Sequence, residues 1–403
     1  MENVYSAIKV TENVYWVGAI DWGIRDFHGY TTPEGSTYNA YLIMAEDVTL
    51  IDTVKAPFKD EMLSRIRSVI DPAKIKYIIS NHSEMDHSGC LAEVIDLIKP
   101  DKVFASAIGV KTLKELYHNQ HEIIAVKDGE TLSLGNMNLT FMETRMIHWP
   151  DSMFTYLAEE ELLFSQDAFG MHLATLERFD DELPQHTLEF EAATYYANIV
   201  LPYSAIVLKT LGKVIATGWK LKIIAPDHGP IWRQHIGWII ELYKKWAAQK
   251  PANKAVVIYA TMWHSTEKMA RAISESLAQA GVKTSIISMN HFHRSQAAYE
   301  VLEAGALVVG TSTLNNNVLP QMADTMTYLK GLKPANLIGA AFGSFGWSGE
   351  GVRDLEAILK EMKVEVAAPA LSIRNAPNKG ALEMCQELGK TIAAELKKKL
   401  ASS

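Results

Sequence analysis

The segment Ile78-Ile79-Ser80-Asn81-His82-Ser83-Glu84-Met85-Asp86-His87-Ser88-Gly89 decides how the rest of the chain is read. An apolar strand, Lys76–Ser80, runs into a turn carrying four ligand-type side chains within six residues. A helix is predicted directly after it, over about Gly89–Ile98, with Leu91, Val94, Ile95 and Ile98 on one face. Four such groups beside a buried strand are expensive to desolvate unless something positive binds them. A turn can bring closely spaced groups onto two neighbouring points, and the mixture of imidazole and carboxylate suits iron, manganese or zinc. The competing reading is a solvated strand-to-helix loop with a capping Asp, and the apolarity of the strand weighs against it.

Three further candidates follow predicted strands. His148 lies in Met146-Ile147-His148-Trp149-Pro150-Asp151. Asp167 lies in Leu163-Phe164-Ser165-Gln166-Asp167-Ala168-Phe169-Gly170, and His228 in Ile224-Ala225-Pro226-Asp227-His228-Gly229-Pro230. Any one alone reads more readily as a structural polar residue. With the first cluster they total seven groups, the number a bridged two-metal site needs. Around them the first half reads as strands with helices interleaved, hence sheets covered by helices. The other strands are Asn13–Gly18, Tyr38–Met44, Val48–Ile51, Val103–Ser106, Leu139–Glu143, Phe154–Leu157, Leu162–Ser165 and Ile223–Ala225.

The polar, proline-containing stretch Ala247–Lys254 reads as a linker, giving domains 1–250 and 251–403. Beyond it the rhythm becomes strand, helix, strand, helix. Ala255–Tyr259 is apolar throughout, as a parallel strand buried on both faces would be. Ser265 can cap the next helix, whose Met269, Ile273 and Leu277 line one side. Strands are predicted at Thr284–Ser288, Ala306–Gly310 and Leu337–Phe342, a doubly wound pattern. Three loops would meet at the carboxyl edge of that sheet. The first, Thr261-Met262-Trp263-His264-Ser265-Thr266, places hydroxyls at a helix N-terminus, a natural phosphate site. The others are Ser312-Thr313-Leu314-Asn315-Asn316-Asn317 and Ser344-Phe345-Gly346-Trp347-Ser348-Gly349, with Trp263 or Trp347 available to stack on a planar ring. No G-x-G-x-x-G with a following acidic residue is present, which argues against a dinucleotide domain.

The 403 residues carry a net charge of −8 with 48% apolar and 21% charged residues, an ordinary globular composition. The charge argues against nucleic acid and anionic membrane as partners. No stretch of about 18 apolar residues is read, so no transmembrane helix is expected, and the N-terminus lacks a signal-peptide pattern. Cys90 and Cys385 are the only cysteines. That usage suits a reducing cytoplasm and leaves any metal to histidine and carboxylate.

The order His82-x-Glu84-x-Asp86-His87, then His148, Asp167 and His228, resembles the metallo-β-lactamase superfamily pattern. Glu84 stands where the zinc hydrolases carry a second histidine, and a hard anionic oxygen there favours iron. With the flavodoxin-like second half, the chain resembles the flavodiiron proteins. The likeness extends over essentially the whole chain, including Ala19-Ile20-Asp21-Trp22, Phe27-His28-Gly29 and Thr37-Tyr38-Asn39-Ala40-Tyr41. The resemblance implies an α/β chain: an N-terminal metallo-β-lactamase-like αβ/βα sandwich, then a flavodoxin-like doubly wound parallel sheet. It implies His82, Glu84 and His148 on one iron, Asp86, His87 and His228 on the other, and Asp167 bridging. It also implies Asp52 supporting a ligand loop, His28 and Tyr195 lining the substrate pocket, and FMN on the three loops above. His264 stands where flavodoxins commonly carry a glycine. His172 fits either a supporting role beside the ligands or core packing. The implied activity is reduction of O2 to water or of NO to N2O. Electrons would come from an external donor, a rubredoxin or a reduced deazaflavin, because no rubredoxin module follows the flavodoxin half. A head-to-tail homodimer, or a tetramer built from it, would bring the two centres together. The rival is a metal hydrolase of the lactamase class with an accessory flavodoxin domain. A third reading, an electron carrier using the flavodoxin half alone, leaves seven ligand candidates without a role.

Overall fold

The structure, a computed structural model, describes residues 4–118 and 121–402. Met1–Asn3, part of the N-terminus read for a leader, lie outside them. The chain forms two compact units, Met1–Tyr195 with Ala205–Lys244, and Tyr196–Ser204 with Lys245–Ser403. The division falls inside the helix Ile236–Ala248, ahead of the polar stretch read as a linker. The end of that helix packs with the second unit: Trp246 Nε1 donates to Glu303 at 2.8 Å, and its ring lies 5.3 Å from Tyr196.

The first unit is a sandwich of two sheets. One has the order Ile8–Lys9, Val14–Trp16, Tyr41–Ile43, Thr49–Ile51, Tyr77–Ser80, Lys102–Ser106, Ile123–Val126. The other runs Thr131–Ser133, Asn138–Glu143, Met153–Leu157, Leu162–Gln166, Ile223–Pro226. Side chains alternate across a strand. Tyr41, Ile51, Ile79 and Phe104 therefore enter the core shared with Phe141, Leu157, Phe164 and Ala225 of the second sheet. Their neighbours Leu42, Leu50, Ile78 and Val103 pack the other way, against Met62 and Ile66 of the helix Lys59–Arg67 and Leu91, Val94, Ile95 and Ile98 of Leu91–Ile98. Burial on both faces explains why the strand before the first motif, Lys76–Ser80, reads as apolar. Each fully buried aliphatic contributes about 1.5–3 kcal/mol.

Three expectations are corrected. The single strand Tyr38–Met44 is two, Ser36–Tyr38 and Tyr41–Ile43. Asn39 interrupts it, turning its side chain to the loop after Ile223–Pro226 instead of pairing in the ladder. The helix after the first motif starts earlier and in two pieces, Met85–Ser88 and Leu91–Ile98, so Asp86 and His87 ride on a helical turn. And one helical run, Gln185–Thr217, is long and apolar enough to cross a membrane by length and composition. Its charges cluster at the ends, leaving 192–208 uncharged. Its middle is wound as a π turn, Tyr196–Val200, and a 3₁₀ turn, Leu201–Tyr203, and residues 195–201 are buried.

The second unit is a parallel sheet in the order Lys283–Ser288, Lys254–Tyr259, Ala306–Leu314, Ile338–Phe345, with Glu365–Val366 and Leu371–Arg374 both along the last strand. This is the doubly wound order 2-1-3-4-5, whose ligands sit at the carboxyl edge where the order reverses. The helix Ser265–Gln279 buries Met269, Ile273 and Leu277 as read. Its cap differs. Ser265 is already helical, and the N-cap is His264, with a left-handed backbone at φ 61° and no side-chain cap. Glycine enters that conformation freely, which accounts for glycine being common at this position in flavodoxins.

Candidate functional site

In the first unit the strands Thr49–Ile51, Tyr77–Ser80, Leu162–Gln166 and Ile223–Pro226 each end, at the carboxyl side, in a polar residue of one cluster. Asp52 follows the first strand with φ 55° and accepts from Asn81 N at 2.7 Å and Asn81 Nδ2 at 2.8 Å. That clamp fixes the loop leading to His82. The loop 144–152, at the amino end of Met153–Leu157, brings in His148. Gly229 closes the last turn at φ 73°, where a Cβ would meet Met171 at 2.7 Å.

The seven sequence-read ligands come together in two groups, His82, Glu84, His148 and Asp167, and Asp86, His87 and His228. Asp167 faces both. Its Oδ2 lies 3.2 Å from His82 Nε2 and 2.9 Å from His148 Nε2, while Oδ1 lies 3.1 Å from His87 Nε2 and 3.4 Å from His228 Nε2. Glu84 Oε2 is 3.1 Å from His82 and 3.3 Å from His148. Asp86 Oδ2 is 3.3 Å from His87 and 3.2 Å from His228.

The cluster suits a metal pair. Both oxygens of Asp86 and Oδ1 of Asp167 are buried without a hydrogen-bond donor, and such atoms require an explanation. The Nε2 atoms of His87 and His228 face each other at 3.1 Å. Burial opposes charge on His82 and His87, but Asp167 and Asp86 outweigh it and hold both imidazoles well above their ordinary value. In return Asp86 and Asp167, against the same burial, are held well below the carboxylate range by the histidines. Metal entry would displace those protons, so affinity weakens as pH falls.

Of the outer nitrogens, that of His228 is held by a hydrogen bond, while those of His82 and His87 face carboxylates beyond hydrogen-bond reach. His228 Nδ1 donates to Thr37 O at 2.6 Å, His82 Nδ1 lies 3.7 Å from Asp151, and His87 Nδ1 lies 3.6 Å from Asp227. Such outer partners fix the tautomer and aim of a ligand. Asp151, Asp227, Thr37 and Asn39 were missed as site residues. The adjacency of Asp227 to His228, and the place of Asp151 three residues after His148, was the available signal. His28, half-exposed with φ 51°, pairs with Glu84. Tyr195 is buried, its ring 6.1 Å from His228 and 5.2 Å from His172. Burial and the charge of Asp167 keep its phenol protonated. His172 packs 4.5 Å from His228 and bonds Ser36 Oγ at 2.7 Å, and burial holds it neutral.

One turn before Tyr195, on the same helix Gln185–Tyr195, Glu191 is buried and pushed up from 4.5 to about 7, by burial first and then by the charge of Glu34. A raised acid is harmless while protonated in both states. Stability is therefore full below pH 4.5 and falls as pH rises from there to about 7. Glu191→Gln is expected to recover about 1–3 kcal/mol near pH 8 and nothing below about pH 4.5. Denaturant titrations at the two pH values measure this.

In the second unit a cleft of about 320 Å³ opens at the carboxyl edge. Of the sequence-read residues, Met262, Trp263, Ser265, Ser312, Thr313, Ser344, Phe345 and Gly346 line it. Three hydroxyls converge from the helix Ser265–Gln279 and the ends of the strands Ala306–Leu314 and Ile338–Phe345, which run past the expected loop starts: Thr266 Oγ1 lies 3.0 Å from Ser312 Oγ and 3.2 Å from Ser344 Oγ. Thr261 is tied back by its N–H to Asn290 Oδ1. His264 turns outward to Glu267. Leu314, Asn315, Asn316 and Asn317 form a hairpin tip beside the cleft, with Asn315 and Asn316 left-handed. Trp347 is 84% exposed, and Ser348 and Gly349 lead into the helix Glu350–Glu361. Asn375 and Ala376 line the cleft but were missed, because the strand before them, Leu371–Arg374, was not read. Hydroxyls beside a helix N-terminus and a shallow aromatic rim fit a flavin mononucleotide.

Residues 37–229 match the family described as ODP family beta lactamase, and residues 257–389 match flavodoxin. The chain is 46% identical to the rubredoxin-oxygen oxidoreductase of Megalodesulfovibrio gigas, over 98% of this chain and 100% of that one. It is 42% identical to the nitric oxide reductase of Moorella thermoacetica, over 96% and 98%. Among solved structures, that of the rubredoxin oxygen:oxidoreductase from Desulfovibrio gigas superposes with a TM-score of 0.97 at 46% identity, covering 98% and 100% of the chains. The flavodiiron protein from Giardia intestinalis superposes at 0.94 with 32% identity, covering 98% of both. A lactamase-type sandwich with a carboxylate-rich dinuclear cluster has no hydrolytic use for a flavin cleft in the same chain, and the two together define a metal–flavin oxidoreductase. The chain belongs to the flavodiiron protein family.

Proposed function

We propose that this enzyme takes electrons from an external donor through FMN to a non-haem di-iron site that reduces O2 to water, NO to N2O, or both. The observation that carries the reading is the placement of Asp167, one oxygen toward each histidine–carboxylate group. His82, Glu84 and His148 would hold one iron, Asp86, His87 and His228 the other, with Asp167 shared. Bound there, the irons would take up the gas and store electrons, and the flavin would accept electrons and pass them on singly.

The chain's own residues do the rest. The Thr37 carbonyl aims the His228 imidazole, and Asp151 and Asp227 set negative charge behind His82 and His87. Tyr195, kept protonated, offers a hydroxyl donor, and His28 a nitrogen beside Glu84. Burial of the cluster excludes bulk water. Thr266, Ser312 and Ser344 would receive the flavin's polar groups, and Trp263 and Trp347 offer aromatic faces. The remaining residues of the three loops, from Thr261 to Gly349, frame that site, with domains 1–250 and 251–403 serving the metal and the flavin. A rubredoxin is the favoured donor, a reduced deazaflavin the alternative. A head-to-tail homodimer would set the flavin of one protomer against the irons of its partner, in the cytoplasm, where the buried thiols of Cys90 and Cys385 stay reduced.

The test is composition joined to turnover. Protein loaded with iron and reduced without oxygen should contain two irons and one FMN per chain and consume O2 or NO with reduced rubredoxin. Zinc in place of iron with no gas consumption would sink the reading.

A further inference from the structure

Behind the ligand-bearing segments of the first unit lies a small pocket lined by Ile147, Phe154, Ala168, Phe169, Val207 and Leu211, with Thr210 and Tyr243 at its edge. All eight residues are buried. Its free volume, about 10 Å³, is roughly what one water-sized molecule occupies.

A pocket of that size holds water only if two to four polar groups receive it, and the backbone of this wall is engaged elsewhere. Ile147 donates its N–H to Thr144 O and accepts from Gln166 Nε2. Ala168 donates to Ser165 O and accepts from Ser165 Oγ. Phe169 donates to Tyr243 OH at 2.8 Å and accepts from Trp232 Nε1 at 2.9 Å. Phe169 also has φ 67°, a left-handed backbone that is costly for a bulky side chain. Such strain persists only where the surroundings over-determine it, and it gathers at functional sites. Here two side-chain hydrogen bonds hold the backbone, and the ring is left to form the apolar wall.

The wall belongs to the segments that carry the metal ligands. Ile147 immediately precedes His148, Ala168 immediately follows Asp167, and Gln166 joins the two segments through the Ile147 carbonyl. We propose that this pocket is a binding site for a small apolar diatomic gas, holding O2 or NO next to the metal cluster before it reacts. The choice of gas rests on the proposed function, whereas the ligand class rests on the pocket itself. A diatomic gas needs no hydrogen bond and loses nothing on leaving water, so a dry apolar cell raises its local concentration.

The test uses the iron- and FMN-loaded enzyme. Crystals pressurised with krypton should show a krypton peak between Phe169 and Val207, and Val207→Phe should remove it. In solution Val207→Phe should raise KM for the gas about 3- to 10-fold, while kcat at saturating gas and the iron and FMN contents stay at the wild-type level. If Val207→Phe does not fold, Leu211→Ala takes its place. By enlarging the cell, it should strengthen the krypton peak and leave KM equal or lower. No krypton peak in the wild type, or an unchanged KM in well-loaded Val207→Phe, overturns the proposal. A krypton peak in an enzyme that consumes neither gas would instead overturn the proposed function and leave the pocket's ligand class standing.

Discussion

Asp167→Ala should lower O2 or NO turnover at least about 100-fold while FMN content stays at the wild-type level. The geometry gives the reason. Asp167 has one oxygen 2.9–3.2 Å from His148 and His82, and the other 3.1–3.4 Å from His87 and His228. It is the one side chain of the seven that both groups share, so its removal strips a ligand from each position at once. It also removes a buried negative charge that offsets the dications, leaving Glu84 and Asp86 as the carboxylates among those ligands. Asp167→Asn is the sharper companion. It keeps the volume but puts an amide N–H against one pair of imidazoles, so one position should lose metal before the other. The flavin cleft lies in a separate unit with its own core, so flavin absorbance serves as the internal control for folding. Iron analysis, the visible spectrum and gas-electrode rates on the same samples decide it. Turnover within about 2-fold of wild type would remove the shared-carboxylate mechanism.

How much of this was legible depends on where the chemistry sits relative to the strands. The seven ligand candidates stood out as a set because most lie just past an apolar run, where a polar residue has no packing reason to be. The continuous apolar run Ala255–Tyr259 likewise announced a strand buried on both faces. Asn39 was not readable in the same way. Its neighbours have strand propensity, and only the fold shows that its side chain spans to the loop of His228. Asp151 and Asp227 escaped because an acid beside a ligand looks like any loop acid until the imidazole's outer nitrogen is seen facing it. At the flavin cleft the hydroxyls Thr266, Ser312 and Ser344 stood out as small polar groups at strand ends. Asn315 and Asn316 looked equivalent, yet asparagine tolerates the left-handed backbone of a hairpin tip, and that is where they are used. Pattern reading finds residues whose type is wrong for their element. It does not find those whose type suits two roles.

Asn39→Leu should destabilise the metal-bearing unit by about 3–5 kcal/mol, by the sum of the polar groups it strands. In the wild type, Trp16 Nε1 donates to Asn39 Oδ1 at 2.8 Å, while Asn39 Nδ2 donates to Pro226 O at 2.7 Å and Gly229 O at 3.0 Å. Leucine has similar volume and no polar atoms. The Pro226 carbonyl would keep the hydroxyl of Tyr41 at 2.6 Å, but the Trp16 N–H and the Gly229 carbonyl would be buried unpaired. Trp16 has little freedom to turn away, because its indole lies under the guanidiniums of Arg65 at 4.6 Å and Arg178 at 4.7 Å. At about 2–4 °C per kcal/mol for a unit of this size, the first thermal transition should fall by about 6–20 °C. His228 sits between the two anchored carbonyls, so iron retention should weaken about 10- to 100-fold, as when outer partners of a ligand are lost. Asn39→Asp keeps the acceptor for Trp16 and loses the two donated bonds. Its second oxygen would be a buried carboxylate oxygen set against the Pro226 and Gly229 carbonyls, so it should destabilise at least as much as Asn39→Leu and lose iron as readily. Calorimetry and chelator-competition titrations separate the two effects. A leucine variant that melts within about 2 °C of wild type and keeps its iron would show that the His228 turn is fixed by something other than Asn39.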